Sequence, residues 1–288
     1  MQPLSAQQVE CFRRFGFTLL LEHFTEEKRR ALLADVDGAV ATLKAANEQD
    51  GSGGYWSPML SSESAPSHVP LLGRGGFYPF ADQLFEKAFY GMISDFVLAN
   101  KGDTWWHRDQ DVPCEMGIRF ICYMGEPLTA DSGALCVMPG SHLQGEFKLD
   151  IPEAMHKEAL PSSAFADDTL AATMQRLQAL VDEHGIFTAC IETAPRDVIA
   201  FTTPLYHASF NGADGRLYCS TSYMQKPNDE VGWQQRRDDC EVIRRQHAEG
   251  MGWPVERPFH PPDWVAQQTD ELGQEWLACL AQSGWIGD

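Results

Sequence analysis

The sequence predicts a β-rich core flanked by helices, and three observations predict it. Between Phe89 and Arg216 the chain breaks into short β-prone runs separated by turn residues, the pattern of a sandwich, barrel or jelly roll. On either side, apolar residues recur at helical spacing instead. No internal repeat or low-complexity tract interrupts either region.

Ser5 is an N-cap for a helix reaching Phe15, with Val9, Phe12 and Phe15 on one stripe and Gly16 as its stop. Phe17 to Leu21 is a compact β-prone run. Thr25 opens a second helix, whose stripe of Ala31, Leu32, Val36, Val40 and Leu43 runs into the forties. From Gln49 to Gly76 the chain is rich in Gly, Ser and Pro, is broken by Tyr55 and Trp56, and leads into Phe77 and Tyr78. A stretch of that length reads as a lid with aromatic anchors or as a linker, and the aromatic pairs favour the lid. Strands fall at Phe96 to Ala99, Ile118 to Met124, Ala134 to Met138 and Val198 to Thr202. A helical insertion, Phe165 to Glu183, carries Leu170, Met174, Leu177 and Val181 on one stripe. After Tyr223 the chain is polar and Trp-dotted, which reads as helical packing on the core. One domain over 1–288 is expected: a helical part to about 48, a lid-like loop at about 49–80, a core at about 89–224 and an extension from about 225.

Composition narrows the partners. With 22 basic against 41 acidic side chains the net charge is −19, which repels phosphate backbones and anionic headgroups. The expected partner is a small molecule, not nucleic acid or a membrane. No run approaches the roughly 18 apolar residues of a membrane helix, and Met1 to Glu10 lacks a basic and an apolar leader region, so a cytoplasmic protein is expected. Eight scattered cysteines without a C-x-x-C pair read as mostly reduced thiols. The oligomeric state is left open.

The histidines carry the chemistry. With 41 acidic residues in 288, about one His-x-Asp/Glu is expected by chance among nine histidines, and the chain has three. His156-x-Glu158 and His247-x-Glu249 lie in helix-like surroundings, where residues two apart diverge. His107-x-Asp109 follows Thr104-Trp105-Trp106, a strand-like run in which residues two apart share a face and can chelate one ion. A ferrous ion is commonly held by two histidines and one carboxylate with open positions opposite. His207, just past the strand-like Asp197 to Phe201, is the best second histidine. Nine residues on, after a turn rich in Asn, Gly and Asp, a hairpin-like return would bring Arg216 beside the metal as a two-pronged carboxylate clamp.

These residues carry a resemblance. His107-x-Asp109, then Gly133 to His142 (GALCVMPGSH), then Asp197 to Phe201 leading to His207 and Arg216, resembles the phytanoyl-CoA dioxygenase family of iron(II)- and 2-oxoglutarate-dependent oxygenases. Phe12 to Leu20 (FRRFGFTLL) is similar to that family's opening helix-to-strand junction. The match runs from about residue 8 to about 224, weakens between Gln49 and Gly91, and is absent after Tyr223. It implies a double-stranded β-helix, a cupin-like jelly roll with flanking helices. Iron would be bound by His107, Asp109 and His207, and Arg216 would hold the distal carboxylate of 2-oxoglutarate, helped by Ser209 and, more weakly, Thr129. His142 would mostly shape its loop.

The activity so implied is hydroxylation, or another oxidation, of an unactivated C–H bond in a small organic molecule such as an intermediate of secondary metabolism. Dioxygen is consumed and succinate and CO2 are the coproducts. Asp109 disfavours halogenation, since halogenating relatives lack this carboxylate. The rival is a non-catalytic or non-oxygenase cupin-like metal-binding protein. For the substrate, Trp106, Phe77, Arg74 and Arg119 are candidates. Arg119 interrupts an apolar strand, so its charge needs either an acidic substrate group or a neighbouring Asp or Glu.

Overall fold

A computed structural model describes residues 2–46, 55–57, 63, 65–99, 102–109, 116–143, 155–213, 215–251 and 258–286. In chain order the elements are α1 (Ala6–Phe15), β1 (Phe17–Leu20), α2 (Glu26–Ala46), β2 (Tyr55–Ser57), α3 (Tyr78–Leu84), β3 (Phe89–Ala99), β4 (Gly102–His107), β5 (Gly117–Tyr123) and β6 (Leu135–Val137). There follow β7 (Lys157–Leu160), α4 (Leu170–His184), β8 (Thr188–Ile191), β9 (Val198–Thr202), β10 (His207–Gly212), β11 (Arg216–Gln225), α5 (Glu230–Met251), α6 (Pro262–Gln267) and α7 (Glu271–Gln282).

The strands form two sheets, β1-β9-β5-β11-β3-β2 and β4-β10-β6-β8-β7. All pairings are antiparallel except β7 with β8. Strand alternation divides the larger sheet's side chains between two cores. Ile121 and Tyr123 of β5, with Ile199 and Phe201 of β9, pack against Leu135, Val137, Ala189 and Ile191 of the smaller sheet. Ile118, Phe120, Val198 and Ala200 point the other way, onto a layer built from α2, α3 and α7. Mostly β with flanking helices is therefore the observed class. Among the described residues no helix is long and apolar enough to cross a membrane.

The entry into the fold follows local rules. Ser5 Oγ accepts from Gln8 N–H at 3.2 Å and Gln8 Oε1 accepts from Ser5 N–H at 2.9 Å, a reciprocal cap for α1. Gly16 ends the helix at φ +88°, and a Cβ there would lie 2.7 Å from His142 Nδ1. His142 in turn donates from Nε2 to the Arg13 carbonyl at 3.2 Å, so it braces the α1–β1 junction.

Two expectations change, and the expectation of mostly reduced cysteines holds among the described residues with one exception. Of the lid-like stretch, most of 49–64 lies outside the described residues, but 65–84 is core rather than loop. Leu71, Leu72, Phe80, Ala81 and Leu84 are buried there, and Phe77 is 2 % exposed and stacked on Phe120 with ring centroids 4.8 Å apart. Aromatic residues after a Gly/Pro-rich run resemble lid anchors in sequence, yet here they fill the space between α3 and β5. His156 is not helical: it leads into β7, so its ring reaches Glu158, with Nε2 and Oε2 3.5 Å apart. That carboxylate is taken by Arg176 at 2.6 Å. The cysteines are not all free: Cys136 and Cys190 sit opposite each other on β6 and β8 and form a disulfide. Cys11, Cys122, Cys219, Cys240 and Cys279 are buried free thiols, and Cys114 lies outside the described residues.

Phe77→Ala is expected to cost about 3–5 kcal/mol of stability, the range for emptying a buried aromatic site, measured by urea denaturation; a residue serving only a substrate would leave the midpoint unchanged. Burial also holds His68 and His260 neutral, lowering each from 6.5 to about 4. Unfolded, both bind protons near 6.5, so their stabilisation is complete above that value and is lost as pH falls towards 4. The slope is up to roughly 1.4 kcal/mol per pH unit for each, and denaturation midpoints at pH 7 and 5 check the sign.

Candidate metal centre

β4 ends on His107 and β10 begins on His207, and the antiparallel register sets the two directly opposite. Cross-strand partners share a face, and the imidazole centroids lie 4.2 Å apart. Each ring is held from behind. His107 Nδ1 donates to the Trp105 carbonyl at 2.7 Å, and His207 Nδ1 donates to the Leu205 carbonyl at 2.9 Å. A carbonyl can only accept, so the proton sits on Nδ1 and the Nε2 lone pair is left for a ligand. Phe201 packs against His207 with centroids 5.0 Å apart.

Asp109 lies just past β4, where its N–H donates to the Thr203 carbonyl at 3.1 Å. Its Oδ1 stands 3.5 Å from both Nε2 atoms. One donor atom from each of the three residues falls within 4.8 Å of the others, and among the described residues no other such cluster of His, Cys, Asp or Glu exists. Two neutral imidazoles and one carboxylate suit a divalent first-row ion such as iron. The site fits that group.

The second carboxylate oxygen is also engaged. Arg119 Nη1 donates to Asp109 Oδ2 at 3.1 Å, Nη2 to Asp95 Oδ2 at 3.3 Å, and Nε to Ser220 Oγ at 3.0 Å. The Arg119 and Asp95 side chains are 21 % and 3 % exposed, so this is not a solvated surface pair. Burial works to raise the Asp109 pKa, but His207, Arg119 and His107 outweigh it and hold the carboxyl well below its usual range. Burial likewise opposes the Arg119 charge, and Asp109 and Asp95 more than offset it. Of the two partners open to Arg119, neighbouring aspartates are the ones it has.

Arg216 opens β11 in the larger sheet, where it pairs with Ala99, so the expected hairpin is instead a crossing between layers. The guanidinium still turns back to β10: Nη1 donates to the Gly133 carbonyl at 2.8 Å and to Ser209 Oγ. Ser209 shares the His207 face of β10, about 7 Å along it at the usual strand rise. Gly133 adopts φ +94°, and a Cβ there would meet Arg216 Nη1 at 2.6 Å and Gly212 Cα at 2.8 Å, so no other residue fits. The Thr129 hydroxyl lies 3.1 Å from Ser132 Oγ, within the turn that presents Gly133.

A cavity of about 460 Å³ opens on Asp109 and Arg119 and runs between β3 and α5. The other substrate candidates do not line it. Phe77 belongs to the core, Arg74 lies over the Tyr78 ring at 5.3 Å, and Trp106 packs on Phe210 at 5.9 Å. Sequence reasoning missed Asp95, Ser220, Tyr123 and Tyr218. Tyr123 and Tyr218 meet edge to face at 5.6 Å, near Arg119. Period two could have found Tyr123, which shares the β5 face of Arg119. The His247 side chain lies outside the described residues.

If Arg119 orients the metal-binding carboxylate, Arg119→Met is expected to weaken Mn(II) binding by about 10–100-fold, the usual effect of losing such a partner; calorimetric titration of the metal-free protein measures it.

No family model matches the chain, and no curated protein does. Solved structures do. AviO1 from Streptomyces viridochromogenes Tue57 is 15 % identical with a TM-score of 0.53, over 79 % of this chain and 97 % of AviO1. HygX from Streptomyces hygroscopicus, with nickel and 2-oxoglutarate bound, is 12 % identical with a TM-score of 0.54, over 78 % of this chain and 88 % of HygX. SnoK, a non-heme alpha-ketoglutarate-dependent carbocyclase from nogalamycin biosynthesis, is 15 % identical with a TM-score of 0.52, over 77 % of this chain and 84 % of SnoK. At these identities the likeness is one of architecture, and in architecture the chain has the cupin-like fold of the non-heme iron, 2-oxoglutarate-dependent oxygenases.

Proposed function

We propose that the chain is an iron(II)- and 2-oxoglutarate-dependent dioxygenase that hydroxylates, or otherwise oxidises, a C–H bond of a small organic molecule in secondary metabolism. The observation that carries this reading is the pairing of a His107-Asp109-His207 donor set with Ser209, further along the His207 strand, and Arg216, which reaches Ser209 from the other sheet. The first three would hold iron; Arg216 and Ser209 would take the distal carboxylate of 2-oxoglutarate. Together with dioxygen, that pair supplies an oxidant strong enough for an unactivated C–H bond, with succinate and CO2 as coproducts.

The chain's own residues do the rest. The Trp105 and Leu205 carbonyls fix the tautomer and tilt of the two imidazoles. Arg119 keeps Asp109 ionised and ties up its second oxygen. A fork of N–H donors on Arg216 matches a planar carboxylate, and Gly133 leaves room for it. Phe201 and Leu205, 1 % and 0 % exposed, exclude water behind His207. The retained Asp109 carboxylate favours oxygen transfer over halide transfer. The similar folds of SnoK, a carbocyclase, and SnoN, an epimerase, both from nogalamycin biosynthesis, keep rearrangement within the proposed class.

Anaerobic addition of ferrous iron and then 2-oxoglutarate to the metal-free protein is expected to give a weak visible charge-transfer band, which His207→Ala abolishes. Arg216→Ala should weaken 2-oxoglutarate by about 10–100-fold, the roughly 1.5–3 kcal/mol of a hydrogen-bonded charge, and leave iron affinity within a few-fold. Tight iron binding without a band in the wild type would favour a non-oxygenase metal-binding protein instead.

A further inference from the structure

The far wall of the cavity beside Asp109 comes from the C-terminal extension. Arg236, Asp239, Ile243 and Gln246 of α5 line it, three, four and three residues apart, which sets them on one helix face. Its volume, about 460 Å³, lies in the range that encloses a drug-sized molecule.

The two ends of the cavity differ. At the metal end, the three kinds of nitrogen on Arg119 serve Asp109, Asp95 and Ser220, so that guanidinium is engaged within the protein. At the α5 end, Arg236 and Asp239 stand one turn apart. Arg236 is 5 % exposed, and a guanidinium has five N–H donors, enough to take an incoming carboxylate beside the partners it already serves. Asp239 is half-buried and accepts from Gln235 Nε2 at 2.9 Å on one oxygen, and a carboxylate has lone pairs for further donors. The rest of the lining is largely apolar, with Met92, Ile93 and Met224 on the sheet side, beside the hydroxyls of Thr203 and Ser222.

We infer that this face of α5 is the substrate-selecting wall, and that the substrate has an apolar body and a zwitterionic, amino-acid-type head. Arg236 takes the carboxylate of the head and Asp239 its ammonium, while the body extends towards His107, Asp109 and His207. The inference rests on the metal reading above. It makes the body, not the head, the part whose C–H bonds face the triad.

The test uses the full chain loaded with Mn(II) and 2-oxoglutarate and three probes of equal body: homophenylalanine, 4-phenylbutyrate and 3-phenylpropylamine. Paramagnetic relaxation of probe protons reads both affinity and orientation. Homophenylalanine is expected to bind about tenfold more tightly than either singly charged probe, with its ring protons relaxed more than its α-proton. Asp239→Asn should remove the advantage over 4-phenylbutyrate. Val242→Trp, at a site 51 % exposed on the cavity rim and so tolerant of a large side chain, should weaken homophenylalanine at least about tenfold while Mn(II) and 2-oxoglutarate affinities stay within twofold. Equal affinities for the three probes, reversed orientation, or binding untouched by Val242→Trp would overturn the inference. Failure of the wild type to bind Mn(II) would instead overturn the metal reading.

Discussion

A guanidinium buried between two carboxylates ties the two layers of this protein together. Arg119, Asp95 and Ser220 stand on three neighbouring strands of the larger sheet, and Asp109 follows the edge strand of the smaller one. Desolvating such charges is costly, and the cost is met only when every partner is present with good geometry. Removing the guanidinium leaves Asp95 and Asp109 without the cation they share. The position of Asp109, and with it the third donor of the triad, is thus set by the larger sheet, although both histidines belong to the smaller one.

The site is built from short-range rules laid over this long-range tie. Antiparallel register sets His107 opposite His207, and strand period two puts Ser209 on the His207 face. The carbonyls two residues before each histidine select its tautomer. Gly133 then admits the Arg216 side chain where any Cβ would collide. None of these features needs an unusual residue; each needs an ordinary residue at one position of a periodic element.

That explains which parts were legible in the sequence. The donor pair at 107 and 109 was legible from strand period, and the second histidine from the need for one beside a strand; the arginine was picked out for a hairpin return, whereas it reaches Ser209 by crossing from the other layer. The strands at 118–124 and 198–202 were readable for the same reason, nearly to the residue. Phe77 was not, because an aromatic after a Gly/Pro-rich run looks the same whether it caps a pocket or fills a core. His156 was misplaced because its neighbours suit a helix, and pairing with β8 overrides that preference. Asp95 and Ser220 carry no local signal at all: they matter only through Arg119, which is far away in sequence. The same is true of α5, whose polar stripe reads as solvated until the cavity beneath it is known.

The crossing from β10 to β11 has a mechanical side. His207 belongs to one layer and Arg216 to the other, and only eight residues of chain separate them. A sliding of the sheets past each other would leave most backbone ladders intact, yet it would shear the contact between Arg216 and Ser209. The spacing between the histidine and the arginine therefore works as a gauge of how well the sandwich is closed, so a chain with its secondary structure in place but its layers out of step would have lost the grip of Arg216 on the strand that carries His207.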